Sequence, residues 1–249
     1  MGNDGTSLGD RMKAYEHCTR YVLPRRTYSI VRVDGRAFHN VLRDAERPFD
    51  GTVMDAMGHV AEALCVDMSG AQFAYTQSDE VSVLLTDFQS VHTEPWFGGG
   101  IQKIASSAAA TATAVWKNEY GNGKFDARVF TIPEPSEVAN YFLWRQRDCT
   151  RNSIMMAGQA NFRHAELQNK HGGEIQELLW RDKQINWNDY PTRAKRGQLT
   201  EHPPGSVRPV MSREPRPGPR PYEPSNSWRT IGAPIWDHPS LLSMVPEYE

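Results

Sequence analysis

Cysteine is scarce in this chain of 249 residues: Cys18, Cys65 and Cys149 are odd in number and far apart. No Cys-x-x-Cys pair and no Cys/His zinc spacing occurs, which excludes a disulfide framework and reads as reduced, intracellular thiols. No apolar run reaches membrane-spanning length. The opening stretch MGNDGTSLGDRMK lacks the apolar segment of a secretory signal, so a cytoplasmic protein with no membrane partner is expected. Neither sign of charge dominates: 28 Lys and Arg face 30 Asp and Glu, a net −2. Any polyanionic partner therefore has to be met by local patches. The HxH and HExxH zinc patterns and the GxxxxGK[ST] phosphate loop are also missing.

What is present is a patterned chain long enough to bury a real core. After a Gly/Asp/Ser-rich start (1–10), residues 10–21 read as helix. Tyr28–Val33 reads as a buried strand. Val53, Met57, Val60, Ala61 and Leu64 recur at helical spacing, predicting a helix over Val53–Met68. Two short apolar runs, Ala71–Tyr75 and Val81–Leu85, flank the polar turn Gln77-Ser78-Asp79-Glu80 and predict a hairpin. Ile101, Ile104, Ala105, Ala108, Ala112 and Val115 form the stripe of a helix packed close to a sheet, Asp126–Ile132 is the next strand, and a long helix is expected from about Ser136 to His171. Strand and helix alternate as β–α–β–β–α–β, the α+β, ferredoxin-like order. In that order the first and third strands are central neighbours, which brings Asp34, at the end of one, to Asp79, at the start of the other.

Two carboxylates at one sheet edge suit a hard divalent ion, with Mg²⁺ held by one or two carboxylates and substrate phosphates. The pattern points to two-metal phosphoryl or nucleotidyl transfer. Asp34-Gly35-Arg36 alone would be ordinary turn chemistry, as would the second acidic turn; it is their pairing that predicts a site. Gly35 lets backbone approach a metal or phosphate, Ser78 offers a hydroxyl, and Glu80 is either a third carboxylate or the first exposed residue of its strand. Arg36, His39, Arg43 and Arg47 form either a solvated face or a triphosphate clamp. Phe38 suits a stacked base and a core position equally. Gly98-Gly99-Gly100 before Lys103 opens a helix whose N-terminus can hold phosphate. Trp144, Arg145, Gln146, Arg147, Asp148, Arg151 and Asn152 form a dense polar cluster that serves either as a salt-bridged face or as an RNA-backbone contact. Ile185-Asn-Trp-Asn188 followed by Arg193-Ala-Lys-Arg-Gly197 is a second such patch. Eleven of the 17 prolines fall in 201–249; RPVMSREPRPGPRPYEP reads as extended, and the more apolar end is expected to dock on the body.

Arg32-Val-Asp-Gly-Arg-Ala-Phe-His39, Arg47-Pro48, Gln77-Ser-Asp-Glu80, Lys103, Phe125-Asp-Ala-Arg128, Tyr141-Phe-Leu-Trp-Arg-Gln-Arg-Asp-Cys-Thr-Arg-Asn152 and Ile185-Asn-Trp-Asn188 occur in order over most of the chain. Together they resemble the tRNA-His guanylyltransferase superfamily of 3′–5′ polymerases. The resemblance implies a polymerase-palm domain at 1–135, a helical tRNA-contacting region at 136–200, and a Pro-rich extension at 201–249. It implies two Mg²⁺ ions on Asp34, Asp79 and the Gly35 carbonyl, with Glu80 supporting catalysis. ATP, GTP and other nucleoside triphosphates would be held over Asp34, Gly35, Arg36, Ala37, Phe38 and His39, at Ser78 and Asp79, and by Arg47 and Lys103. tRNA would meet Arg145, Gln146, Asp148, Arg151 and Asn152, and members form homotetramers.

Two departures from the family pattern carry information. Eukaryotic members have His-Ile-Asn-Asn, tied to reading the histidine anticodon, where this chain has Thr150-Arg151-Asn152-Ser153. That points to the bacterial, archaeal and phage branch and to templated repair of 5′-truncated tRNA rather than anticodon-specific guanine addition. Gly99 and Gly100 stand where other members carry arginines, implying a differently built triphosphate contact. The rivals are a palm-type enzyme on another substrate, such as a cyclase, which has no need of the Arg145-Gln146 cluster, and a non-catalytic RNA-binding module, which has no need of the paired aspartates.

Overall fold

The computed structural model describes residues 7–203 and 227–247. An N-terminal helix α1 (Leu8–His17) precedes strand β1 (Tyr28–Gly35). A one-turn helix α2 (Phe38–Val41) and helix α3 (Gly51–Asp67) lead to the hairpin of β2 (Ala71–Gln77) and β3 (Glu80–Leu85). Helix α4 (Ile101–Glu119), strand β4 (Phe125–Ile132) and the long helix α5 (Pro135–Asn161) follow. The chain continues through α6 (His164–Leu167), α7 (Gly172–Lys183), α8 (Thr192–Arg196), β5 (Gln198–Glu201), β6 (Arg229–Gly232) and α9 (His238–Leu242).

The strands form one antiparallel sheet in the order β4-β1-β3-β2-β5-β6. Alternation along the strands divides the core in two. Val31, Val33, Ala74, Val81 and Val83 point to α3 and α4, where small residues such as Ala108 and Ala112 let the helix lie close. Tyr28, Ile30, Phe73, Tyr75 and Leu84 point to the other face, covered by Val138 and Phe142 of α5. A sheet buried on both faces cannot leave a charged strand residue unpaired, and this governs the site below.

α3 starts where Asp50 accepts from the Thr52 and Val53 amides at 2.8 and 3.1 Å, an N-cap that also fixes the loop before it through Glu46 N at 3.0 Å. Pro135 begins α5 at a position where a missing N–H costs nothing. The expected single helix to His171 ends earlier. Phe162 is extended, and Glu166 and Glu174 reach back to the amides of Arg163 and His171 at 2.9 and 2.7 Å, restarting the chain as α6 and α7.

The apolar end of the chain packs on the body. Leu241 and Val245 are buried, Trp236 stacks at 5.2 Å on Tyr75, and Tyr28 Oη donates to Pro246 O at 2.6 Å. The whole run RPVMSREPRPGPRPYEP, together with the first six residues, lies outside the described residues.

Candidate active site

β1 and β3 pair with Asp34 opposite Glu80, so the acidic end of β1 meets the hairpin turn. Gly35 N donates to Asp79 O at 3.0 Å, which ties the two turns directly. Ser78 takes the left-handed conformation (φ 50°) that the two-residue turn demands. At Gly35 a Cβ would stand 2.5 Å from the Phe38 ring and 2.8 Å from Asp79 Oδ2, so only glycine lets the Asp79 carboxylate lie against this backbone. A cavity of about 300 Å³ opens here, lined among others by Asp34, Asp79, Arg47, Asn152 and Arg193.

Burial, then the charge of Asp34, pushes the Asp79 carboxyl above its ordinary range. The two carboxylates lie close enough to repel each other, with Arg32 as the nearby cation. Among the described residues, no three His, Cys, Asp or Glu side chains form a ready metal cage. The residues that could hold a metal here are the two carboxylates, with the Gly35 carbonyl as the expected third donor, all hard oxygens, beside a cavity with room for substrate phosphates. That fits Mg²⁺, which keeps several outer ligands.

Glu80 is neither a free third carboxylate nor an exposed strand residue. It is 6% exposed, and burial raises its carboxyl against the pull of Arg145 and Arg32. Arg145 donates to it from Nε and Nη2, both at 2.9 Å, and Arg32 Nη2 lies at 2.5 Å. The same Arg32 nitrogen is 3.3 Å from Asp34 Oδ2. Arg32 carries a role the sequence reading did not assign. The available signal was strand alternation, which puts Arg32 and Asp34 on one face.

The expected nucleotide and tRNA residues divide. Arg36 and His39 are exposed beside the acidic turn, Ala37 is left-handed (φ 53°), and Arg47 and Ser78 line the cavity. Phe38 goes to the core: it is 3% exposed, with Trp116 and Phe125 each 4.9 Å away, so its ring is not offered to a base. Lys103 lies at the opposite end of the sheet within the chain. α4 runs 19 residues, about 28 Å at about 1.5 Å per residue, and only its C-terminal end reaches Phe38. Its N-terminal end is held by Gly99 O accepting from Leu23 N at 2.9 Å, and Lys103 Nζ sits 4.8 Å over the Phe97 ring.

Two expected tRNA contacts are also corrected. Arg145 is buried on Glu80, and Gln146 is buried and clamps the C-terminal segment: its Nε2 donates to Pro234 O at 2.7 Å and its Oε1 accepts from Trp236 N at 2.9 Å. Asp148 is held by Arg145 at 3.4 Å and by Arg151, while Asn152 Nδ2 reaches it at 3.4 Å. Only Arg151 and Asn152 of this group are exposed. In the second patch Trp187 and Lys195 are buried, with Lys195 Nζ donating to Asn188 O, and Arg193 pairs with Asp55.

Residues 9–133, half the chain, match the family model described as tRNAHis guanylyltransferase (Thg1). A bacterial Thg1-like protein solved with ATP superposes with a TM-score of 0.75 at 42% identity, over 78% of this chain and 88% of that one. The chain belongs to the tRNAHis guanylyltransferase family. Membership makes it a nucleotidyltransferase. A bacterial Thg1-like structure with GTP matches at TM-score 0.70 and 40% identity, over 80% of this chain and 85% of that one. Among curated relatives, the tRNA(His) guanylyltransferase of Debaryomyces hansenii is 29% identical over 72% of this chain and 74% of its own length. An uncharacterized protein (R259) of Acanthamoeba polyphaga mimivirus is 25% identical over 77% and 76%. No helix among the described residues is long and apolar enough to cross a membrane.

Proposed function

We propose that the chain adds nucleotides in the 3′–5′ direction to the 5′ end of tRNA in the cytoplasm, as a Mg²⁺-dependent, template-directed repair enzyme for 5′-truncated tRNA. The observation that carries this is the meeting of Asp34 and Asp79 at one end of the sheet, beside a cavity, in a chain of this family. The order β4-β1-β3-β2 with α3 and α4 on one face supports a ferredoxin-like palm as its core.

Asp34, Asp79 and the Gly35 carbonyl would hold the metal. Two Mg²⁺ ions there would lower the pKa of the attacking hydroxyl and screen the charge on the phosphoryl oxygens. The chain's own residues position. Arg47 and the exposed Arg36 and His39 take triphosphate oxygens, and Ser78 offers its hydroxyl at the turn. In the first step the tRNA 5′-monophosphate attacks the α-phosphate of ATP and pyrophosphate leaves. In the second, the 3′-hydroxyl of the incoming nucleotide attacks the activated 5′ phosphate and AMP leaves. No covalent enzyme intermediate is required; the cavity offers carboxylates, cations and hydroxyls, and its thiol, Cys149, is buried. Lys103 is too far from Asp34 to serve its own site; in the homotetramer that the family resemblance implies, it would serve a neighbouring subunit's. Arg151 and Asn152 remain as tRNA contacts, and Thr150 in place of histidine leaves the choice of nucleotide to pairing with the acceptor strand.

The test is a 5′-labelled, one-nucleotide-truncated tRNA offered ATP, GTP, CTP and UTP singly, with the templating base varied. Addition of the complementary nucleotide, whatever the anticodon, is expected. Guanine addition opposite every base, or strict dependence on a histidine anticodon, would replace this reading with a histidine-specific guanylyltransferase.

A further inference from the structure

We infer that Glu80 is a positioning residue that acts on the metal site through Arg32: it holds the Arg32 guanidinium to one long hydrogen bond on Asp34 Oδ2, at 3.3 Å, and so leaves the Asp34 carboxylate open to a divalent cation. This rests on the reading of Asp34 and Asp79 as metal ligands.

Three observations carry it. First, both Glu80 oxygens are occupied. Oε1 accepts from Arg145 Nε at 2.9 Å, and Oε2 takes Arg145 Nη2 at 2.9 Å and Arg32 Nη2 at 2.5 Å. A metal reaching Glu80 would have to expel two guanidiniums from a site 6% exposed, leaving each with only a longer contact, Arg145 to Asp148 at 3.4 Å and Arg32 to Asp34 at 3.3 Å. Second, one nitrogen, Arg32 Nη2, stands between two carboxylates, 2.5 Å from Glu80 and 3.3 Å from Asp34. With the Glu80 charge gone, Asp34 is the remaining carboxylate in contact with it, and the guanidinium can close on the oxygens the cation needs. Third, the arrangement is built into the strands rather than a loop. Asp34 faces Glu80 and Arg32 faces Ser82 in the β1–β3 register, so alternation puts Arg32, Asp34 and Glu80 on one face, with Arg145 of α5 above them. Arg145 locks Glu80 in a two-bonded fork, so Glu80 cannot follow Arg32 if Arg32 moves.

The measurement is Mn²⁺ binding, read from the EPR signal of free Mn²⁺ without turnover, on the full chain and on Asp79→Ala, Glu80→Gln, Arg32→Gln and the Glu80→Gln/Arg32→Gln double variant. Glu80→Gln should weaken binding by about tenfold, as a guanidinium at contact distance competes with the ion. Arg32→Gln should bind at least as tightly as the parent, and the double variant should return to within about threefold of it. Failure of the second substitution to restore binding would make Glu80 a ligand and overturn the inference, as would weaker binding by Arg32→Gln alone. Should Glu80→Gln fail to show a cooperative melt, the Arg32→Gln arm decides on its own. Mn²⁺ binding untouched in Asp79→Ala would instead overturn the metal site itself, and this inference with it.

Discussion

Arg145 distinguishes a buried strut from an RNA contact. Its side chain and that of Glu80 are each 7% exposed, so solvent does little to screen the pair. Removing one partner of a buried ion pair costs about 3–5 kcal/mol. Glu80 would keep Arg32 at 2.5 Å, which puts Arg145→Met at the lower end, about 3 kcal/mol. In a chain of this size each kcal/mol moves Tm by about 2–4 °C, so a fall of about 6–12 °C is expected. Methionine keeps much of the stem packing, so the loss reports on charge pairing rather than on a cavity. A phosphate contact would behave otherwise. Its loss would leave Tm in place, weaken tRNA binding, and lower the slope of log K against log salt by about one. Thermal melts and filter binding at several salt concentrations, run below the lower Tm, separate the two. A Tm unchanged within 2 °C, together with a reduced salt slope, would refute the burial argument.

Three further outcomes follow from the same geometry. Asp79→Asn should abolish nucleotidyl transfer yet melt higher than the parent in EDTA at pH 7–8. The parent's raised Asp79 pKa contributes stability at low pH that is lost as pH rises through its folded value, so the advantage of Asn should vanish as pH falls below the unfolded value. A melt of Asp79→Asn at or below the parent at pH 8 would contradict this. In the proposed homotetramer, Lys103→Ala and Asp79→Ala, each inactive alone, should regain part of the activity when their subunits are co-assembled, because one intact Asp79 and one intact Lys103 would then meet across subunits; no recovery in mixed oligomers verified by mass would remove Lys103 from the proposed triphosphate site. Phe38→Ala should destabilise by about 3–5 kcal/mol in urea titrations, whereas a base-stacking ring would change nucleotide saturation and leave the urea midpoint fixed.

The paired aspartates were legible because local signals sufficed. Alternating apolar runs located β1, β2 and β3 within two residues, and the order of elements dictates that β1 and β3 are neighbours. The single helix expected to His171 is broken at Phe162, and the glutamates that cap the restarts, Glu166 of α6 and Glu174 of α7, look like ordinary surface charge in the sequence. The glycine run before Lys103 is a weak signal by itself, and it is the family resemblance that assigns Lys103 to the triphosphate. The same order of elements that joins Asp34 to Asp79 also sends the start of α4 to the far end of the sheet, so that outcome could have been read from connectivity.

The misreading of Arg145 has a different cause. From its residues the cluster reads as either a salt-bridged face or an RNA contact, and the family resemblance implies the second. Its phase says otherwise: Val138, Phe142, Arg145 and Cys149 recur at steps of four, three and four, which places Arg145 on the buried stripe of α5. Glu80 belongs to a strand buried at every position, covered by α3 on one side and α5 on the other. A carboxylate there has to find a cation, and a cation on the buried stripe of the covering helix has to find a carboxylate. Each position alone looks like an exception to burial; the two together predict one contact. The same requirement extends to Arg32, so the charges beside the proposed metal ligands are fixed by the folding of the sheet against α5 before any substrate arrives.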